Sequence, residues 1–385
     1  MNICFISKEY PPETGWGGIG TYIYNLSHGL SRLGHRVHVI SQATEFEKDY
    51  EDESVYLHRI KFIKIPVIRR VSYSYQIFKK LKSAGCKFDI IESPEWGAEG
   101  FPLSFFKKSY PLVTRLHTPL FLARQISDQK MSFRDRVIDF LEKKQTENSI
   151  GITSPSKALA NIIATEWDIS LSQIKIIPNG IDIEKIKSIS SNLGKPKIDD
   201  YITYIGRLEP WKGVHILAKA LPGVFAQYPN LKMVFIGQDA KYGDGMMREY
   251  ILNINHQYKN NIIFTGFLSG IKKYSLIKYS RFIVLPSLWE AFGYTCLESM
   301  ALGKAIIATK NCGFEEIIKD NQSGFIVEPG DHQALQEKII YCLSNNDVAN
   351  FVEKNAIKRT EDFDIKILAR TTIKYYEELL EKSKR

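Results

Sequence analysis

At 385 residues, 44% hydrophobic and 25% charged, the chain has the composition of an ordinary globular protein and is long for a single domain. Five scattered cysteines (Cys4, Cys86, Cys296, Cys312, Cys342) without a C-x-x-C pair argue against a disulfide framework or a zinc site. No apolar run approaches the ~20 residues needed to span a bilayer, and Met1–Ile6 is too short for a signal sequence and lacks a basic flank, so a cytoplasmic protein is expected.

The first apolar run, Ile3–Ser7, reads as a buried strand. It enters Glu9-Tyr-Pro-Pro-Glu-Thr-Gly15-Trp-Gly17-Gly18-Ile-Gly20, then a helical pattern from Tyr22 to Leu33 closed by Gly34, then a strand over Arg36–Ser41. The glycine-rich loop lies between strand and helix, where glycine lets a ligand approach the backbone. It is not G-x-G-x-x-G, and no acidic residue ends the second strand, so a dinucleotide site is disfavoured and a loop cradling phosphate or sugar is expected.

The formal net charge of +9 is unevenly spread. No acidic residue lies between Glu53 and Asp89, a window holding Arg59, Lys61, Lys64, Arg69, Arg70, Lys79, Lys80, Lys82 and Lys87. Two readings stay open: a basic surface that meets anionic lipid or an anionic acceptor, and a solvated face whose aromatics pack inward. No nucleic-acid motif accompanies it.

Further parallel strands are expected at Asp89–Glu92, Leu112–His117, Ile150–Thr153 and Ile174–Ile177, with helices from Phe133 to Thr146 and from Ser154-Pro-Ser156 to Trp167. Residues 183–200, rich in Lys, Ser, Asn, Gly and Pro, are expected to link two domains, 1–182 and 201–362. A second α/β series follows, with strands at Tyr201–Ile205, Leu231–Ile236, Ile262–Thr265, Phe282–Pro286, Ala305–Ala308 and Gly324–Val327. A final helix occupies 363–385. The fold class predicted is α/β: two facing doubly wound Rossmann-like domains with a cleft between them.

The polar residues after these strands carry the chemistry. Arg207 and Lys212 follow the strand ending at Ile205 and Gly206, where two cations five apart suit a diphosphate. Glu290-Ala-Phe-Gly-Tyr-Thr-Cys-Leu-Glu298 places Gly293 at a strand-to-helix turn, so that Gly293, Tyr294 and Thr295 offer backbone N–H groups to an anion. Its two carboxylates suit hydroxyl groups on either side of that anion. The whole set describes a site for a nucleotide sugar.

Gly206-Arg207 with Lys212-Gly213, and Glu290-x7-Glu298, resemble the retaining glycosyltransferases of family 4, which have the two-domain GT-B fold. Gly17-Gly18-Ile19-Gly20, Pro178-Asn179-Gly180-Ile181-Asp182 and Ser323-Gly324-Phe325 fit the same family. The resemblance implies that the second domain binds the nucleotide sugar. Arg207 and Lys212 would hold its diphosphate, Glu298 the ribose hydroxyls and Glu290 the transferred hexose. Phe292 lies within the same stretch, and backbone near Gly237 and Gly266-Phe267-Leu268 would meet the base. Gly17 and Gly18 would lie near the phosphates, Gly20, Tyr22 and Asn179 on the acceptor side, and His117 would be the active-site histidine. No cofactor or metal is expected beyond the donor itself, and the last helix would return to the first domain. The activity expected is hexosyl transfer to a hydroxyl acceptor (a saccharide, lipid-linked saccharide or small polar molecule) by same-face attack, with the donor phosphate as base. The window from Arg59 to Lys87 would make a peripheral contact with the inner face of the membrane. A nucleotide-sugar epimerase of similar fold is the alternative, and a non-catalytic sugar- or nucleotide-binding module a third; the paired cations and glutamates favour transfer.

Overall fold

The computed structural model describes residues 1–15, 17–61, 69–83 and 87–384, with the side chains of 69–72 and 383–384 left aside. Trp16, Lys64, Cys86 and the side chains of Arg69 and Arg70 therefore lie outside the described residues.

The chain forms two units, Met1–Gly180 with Phe363–Arg385, and Ile181–Asp362. In the first, eight strands make one sheet: β1 (Asn2–Ile6), β2 (Arg36–Gln42), β3 (Lys48–Asp52), β4 (Val55–Ile60), β5 (Ile90–Pro94), β6 (Leu112–Arg115), β7 (Gly151–Ser154) and β8 (Ile174–Ile176). Their order is β3-β4-β2-β1-β5-β6-β7-β8, parallel apart from β3, which pairs antiparallel with β4. The strands are short and mostly buried on both faces, the pattern of a parallel sheet covered by helices. The helices are α1 (Gly18–Arg32), α2 (Arg69–Ser83), α3 (Leu120–Ile126), α4 (Phe133–Asn148) and α5 (Lys157–Trp167). Of the two serines expected to start α5, Ser156 is the cap: its hydroxyl accepts from Leu159 N–H at 3.2 Å.

In the second unit α6 (Ile183–Ser191) precedes β9 (Tyr201–Ile205), α7 (Val214–Gln227) and β10 (Lys232–Ile236). A small hairpin, β11 (Lys241–Tyr242) and β12 (Gly245–Met246), leads to α8 (Met247–Ile254). Then come β13 (Ile262–Gly266), α9 (Gly270–Lys278), β14 (Ile283–Leu285), α10 (Tyr294–Ala301), β15 (Ile306–Thr309), α11 (Phe314–Ile317), β16 (Phe325–Val327), α12 (His332–Ser344) and α13 (Asn346–Thr360). The six-stranded sheet runs β13-β10-β9-β14-β15-β16, all parallel. Its core joins Val214, Leu217, Leu221 and Phe225 of α7 to Met233 and Phe235 of β10 and Leu335 and Ile339 of α12.

Three expectations need correction. Residues 183–191 are helical: Asp182 caps α6 by accepting from Lys185 N–H at 2.9 Å, and Ile183 and Ile186 are buried. The next residues are tied to α9, where Ser275 donates to the Gly194 carbonyl at 2.5 Å and Tyr279 to that of Leu193 at 3.1 Å. This stretch is thus a packed part of the second unit. The basic window is likewise no uniform surface. Arg59 is 1% exposed and donates to the Tyr10 carbonyl (2.9 Å), Ser41 Oγ (3.0 Å) and Thr14 Oγ1 (3.1 Å), tying the loop after β1 to β4. Lys80 pairs with Asp49 at 2.6 Å. Tyr73, Ile77 and Leu81 face inward, while Lys79, Lys82 and Lys87 are exposed. Finally, β3 and β4 form where no strand was expected.

The last helix, α14 (Ile365–Lys384), packs on α1 and β7 of the first unit. Gly29 leaves no room for a Cβ, which would lie 2.8 Å from Ile365 Cγ1. Tyr376 donates to Glu92 Oε2 at 2.7 Å and Tyr22 to Oε1 at 2.8 Å; Glu92 is 2% exposed. Burial pushes the Glu92 carboxyl up, against the pull of nearby Arg115 and the two hydroxyls. Tyr376→Phe removes one donor from a buried carboxylate and is expected to lower the stability of the first unit by about 1–3 kcal/mol in urea unfolding; an unchanged midpoint would show that α14 is held by apolar packing alone.

Candidate active site

Each sheet reverses its strand order once, at β1/β5 and at β9/β14. Connections leave in opposite directions there, so the carboxyl ends of those strands open into a crevice. Most of the predicted site residues follow strands at or beside these two points.

In the second unit, β9 ends in Gly206 (φ +152°), β10 in Gly237 (φ +157°) and β13 in Gly266 (φ +71°). The three are linked in a row: Gly206 N–H donates to the Ile236 carbonyl and Gly237 N–H to the Gly266 carbonyl, both at 2.9 Å. A Cβ on Gly237 would lie 1.8 Å from the Gly206 carbonyl oxygen, so the edge of the sheet is bare backbone. Phe267, 62% exposed, and half-buried Leu268 follow it.

Beyond Gly206, Arg207 pairs with Glu209 at 2.9 Å and is 60% exposed. A single 3-10 turn, Pro210–Lys212, brings Trp211 between the two predicted cations. The Lys212 ammonium lies 4.2 Å from the indole centroid and the Arg207 guanidinium 5.6 Å. Gly213 (φ +68°) then turns the chain into α7 under Pro286, whose carbonyl oxygen a Cβ would meet at 1.7 Å. That contact brings the β9 loop against the β14 loop.

From the β14 side Glu290 answers Lys212, at 2.5 Å. Gly313 N–H holds the Glu290 carbonyl at 2.7 Å, and Gly293 (φ +110°) starts α10 against Phe314, whose ring a Cβ would meet at 2.5 Å. Tyr294 and Thr295 open the helix, half-buried, while the Phe292 ring is buried. Glu298, one turn on, is held by Lys273 at 2.7 Å and by the Tyr274 hydroxyl at 3.3 Å. Burial and the Glu298 charge push the Tyr274 hydroxyl far up, keeping it a donor. Lys273 and Tyr274 were missed in the sequence. Both carboxylates and their lysines are 14–18% exposed, enough burial for these charge pairs to be set against partly desolvated surroundings. Cys296 and Cys312 are buried and pushed up toward the neutral thiol, packing residues beside the site.

The first unit gathers its own set. Gly17 and Gly18 are exposed at the start of α1, and Glu9 accepts from Gly20 N–H at 3.2 Å. Gly20 could carry no side chain, because a Cβ would lie 2.4 Å from the Gly15 carbonyl oxygen. Tyr22 and Asn179, expected on the acceptor side, are buried at 5% and 4% within the polar network around Glu92. Arg115 lies over the Tyr22 ring at 4.5 Å and donates to Asn179 Oδ1 at 2.5 Å, so these side chains brace the sheet.

His117 follows β6. Its backbone N–H donates to Glu95 at 2.8 Å, its ring meets Tyr22 edge-on at 5.4 Å, and its buried Nε2 has no hydrogen-bond partner among the described residues. Burial, then the Arg115 charge, holds the imidazole well below its usual range, hence neutral. Behind it two buried glutamates accept backbone N–H groups: Glu95 from His117, and Glu142 from Gly97 at 2.7 Å and Leu120 at 2.9 Å. Burial pushes Glu95 up to about 7 and Glu142 up to about 8, from an ordinary 4.5. The folded state therefore binds more protons than the unfolded chain between pH 4.5 and about 8, and stability falls as pH rises through that window. Glu142→Gln should flatten this fall in urea unfolding across a pH series; a variant profile parallel to the parent's would disprove the assignment.

Among the described residues no three His, Cys, Asp or Glu side chains converge to hold a metal ion, and no helix is long and apolar enough to cross a membrane.

Residues 16–185 match the family model Glycosyltransferase Family 4, and 185–359 match Glycosyl transferases group 1. An uncharacterized glycosyltransferase of Methanocaldococcus jannaschii is 27% identical, over 99% of both chains. Among solved structures, the sucrose-phosphate synthase of Thermosynechococcus elongatus superposes with a TM-score of 0.80 at 19% identity, covering 99% of this chain and 100% of that one. Anabaena HepE in complex with UDP-glucose superposes with 0.71 at 20% identity, covering 98% and 100%. The two models adjoin at the boundary between the two Rossmann-like units, and together with these likenesses they make the chain a glycosyltransferase of the GT-B class.

Proposed function

We propose that the protein transfers a hexose from a nucleoside-diphosphate sugar to a hydroxyl acceptor with retention of configuration, and that the second unit binds the donor. The observation that carries this reading is the pair of ion pairs, Lys212–Glu290 and Lys273–Glu298, set on either side of the Gly293 helix start. A diphosphate at that start meets backbone N–H groups and the positive end of α10. Arg207 and Lys212 add the countercharge that the leaving diphosphate needs as the sugar–phosphate bond breaks. Glu298, held by Lys273 and Tyr274, accepts from the ribose hydroxyls, and Glu290 accepts from the hexose. The glycine row at Gly206, Gly237 and Gly266 lets the base lie on bare backbone, with Phe267 beside it. UDP-glucose in the HepE complex supports this class of donor.

Acceptor attack on the same face as the departing phosphate fits this arrangement, with a phosphate oxygen taking the hydroxyl proton. No side-chain base is then required, and the fixed cations neutralise the product diphosphate. His117 is a neutral imidazole whose free Nε2 orients a hydroxyl of the sugar or acceptor. The acceptor is a saccharide, a lipid-linked saccharide or a small polar molecule met by the first unit.

Release of nucleoside diphosphate from a panel of nucleotide sugars tests the reading. Lys212→Ala and Glu298→Ala should lower turnover by about 100-fold or more, and Lys273→Ala should raise KM for the donor more than it lowers kcat. Parental turnover in Lys212→Ala and Glu298→Ala would place the site elsewhere.

A further inference from the structure

Helix α4 presents the wrong face to water. Its inner side, with Asp135, Ile138, Glu142, Gln145 and Thr146, is buried against α3 and the two 3-10 turns at 96–98 and 101–105. Its outer side carries Phe133 (84% exposed), Val137 (43%) and Phe140 (55%), spaced four and three apart and so on one stripe. A helix on the surface of a globular unit normally turns polar residues outward. The 3-10 turn at 101–105 packs beside α4 and ends in two more outward aromatics, Phe105 (61%) and Phe106 (54%). Phe105, Phe106, Lys107 and Lys108 line one groove with Asn148, the last residue of α4.

The charge around this apolar surface is mainly basic. Lys107, Lys108, Arg134 and Arg136 are exposed, and Lys144 stands 5.8 Å from the Phe140 ring. Of the carboxylates on α4, Asp135 is held in the capping box at Ser132 and paired with Arg124, Asp139 accepts from Trp167, and Glu147 is paired with Lys143 and Lys144. Outward phenylalanines rimmed by lysines and arginines are the make-up of an interfacial helix. The rings enter the acyl boundary, and the long basic side chains extend to anionic headgroups.

We propose that the outer face of α4, with Phe105–Lys108, is the surface by which the protein docks on an anionic lipid bilayer. In the Arg59–Lys87 window, by contrast, Arg59 is buried and Lys80 is paired with Asp49, while Lys79, Lys82 and Lys87 are exposed. The inference stands apart from the transfer chemistry, because none of these side chains belongs to the donor site.

Cosedimentation of the full chain with phosphatidylcholine vesicles, with and without phosphatidylglycerol, tests it. The protein should bind the anionic vesicles and not the neutral ones. Phe133→Ser with Phe140→Ser, and separately Lys107→Glu with Lys108→Glu, should each weaken that binding by about tenfold or more, with melting temperature and donor hydrolysis as in the parent. Lys79→Glu with Lys82→Glu should change it less than twofold. Parental vesicle affinity in the first two variants overturns the proposal. So does a loss confined to the Lys79/Lys82 variant. A parent that is dimeric by light scattering and becomes monomeric in the Phe133/Phe140 variant also overturns it, making the face a contact between copies.

Discussion

A parallel sheet built outward from a central strand reverses its order once, and the two strands flanking the reversal send their connections to opposite sides. Everything placed beyond their carboxyl ends is therefore free of a covering helix. In the second unit this happens between β9 and β14, and the constraint sets which residues can meet. The loop that carries Arg207 and Lys212 meets the loop after β10 on one side, through Leu208 N–H to the Gln238 carbonyl, and the loop that carries Glu290 on the other, where Gly213 passes under the Pro286 carbonyl with no room for a Cβ. Any side chain at Gly213 would part the two loops, and the lysine from its glutamate.

Charge pairing then fixes the orientation of the site. A carboxylate meant to accept hydroxyl groups has to be held still in one orientation, which a fixed cation beside it does. Lys212 and Lys273 each pair with one glutamate, and each ammonium also lies near an aromatic ring, of Trp211 and Tyr274 respectively. The first unit treats two of its carboxylates differently. Glu95 and Glu142 face backbone N–H groups with no cation beside them, and they shape the chain around His117 through hydrogen bonds. The first unit uses ion pairing as well, with buried Glu99 held by Lys8 at 3.0 Å, so both ways of stabilising a buried acid occur there.

Much of this was legible in the sequence because parallel strands are short apolar runs with polar or glycine ends, and each such end marks a loop on the functional edge. Gly206, Lys212, Glu290, Gly293 and Glu298 could be picked out for that reason. Lys273 and Tyr274 could not: they lie within an ordinary polar helix some twenty-five residues before Glu298, and only the tertiary fold, in which α9 and α10 both pack on α6, brings them to it. Arg59 misled because it sits in a run of cations. Its alternation with Val55 and Leu57 along β4 was the available signal that it points inward. Helix α6 was hidden by a run of serines and lysines, which weakens the apolar period to Ile183, Ile186 and Ile189. The roles expected of Tyr22 and Asn179 rested on the family resemblance, whereas their side chains in the fold meet Glu92 and Arg115.

The return of α14 to the first unit also orders events during synthesis. Residues 363–385 leave the ribosome after all of the second unit, so that unit can close while the first still lacks its last helix. Until Tyr376 arrives, Glu92 sits beneath an open apolar strip on α1 with one oxygen unmatched.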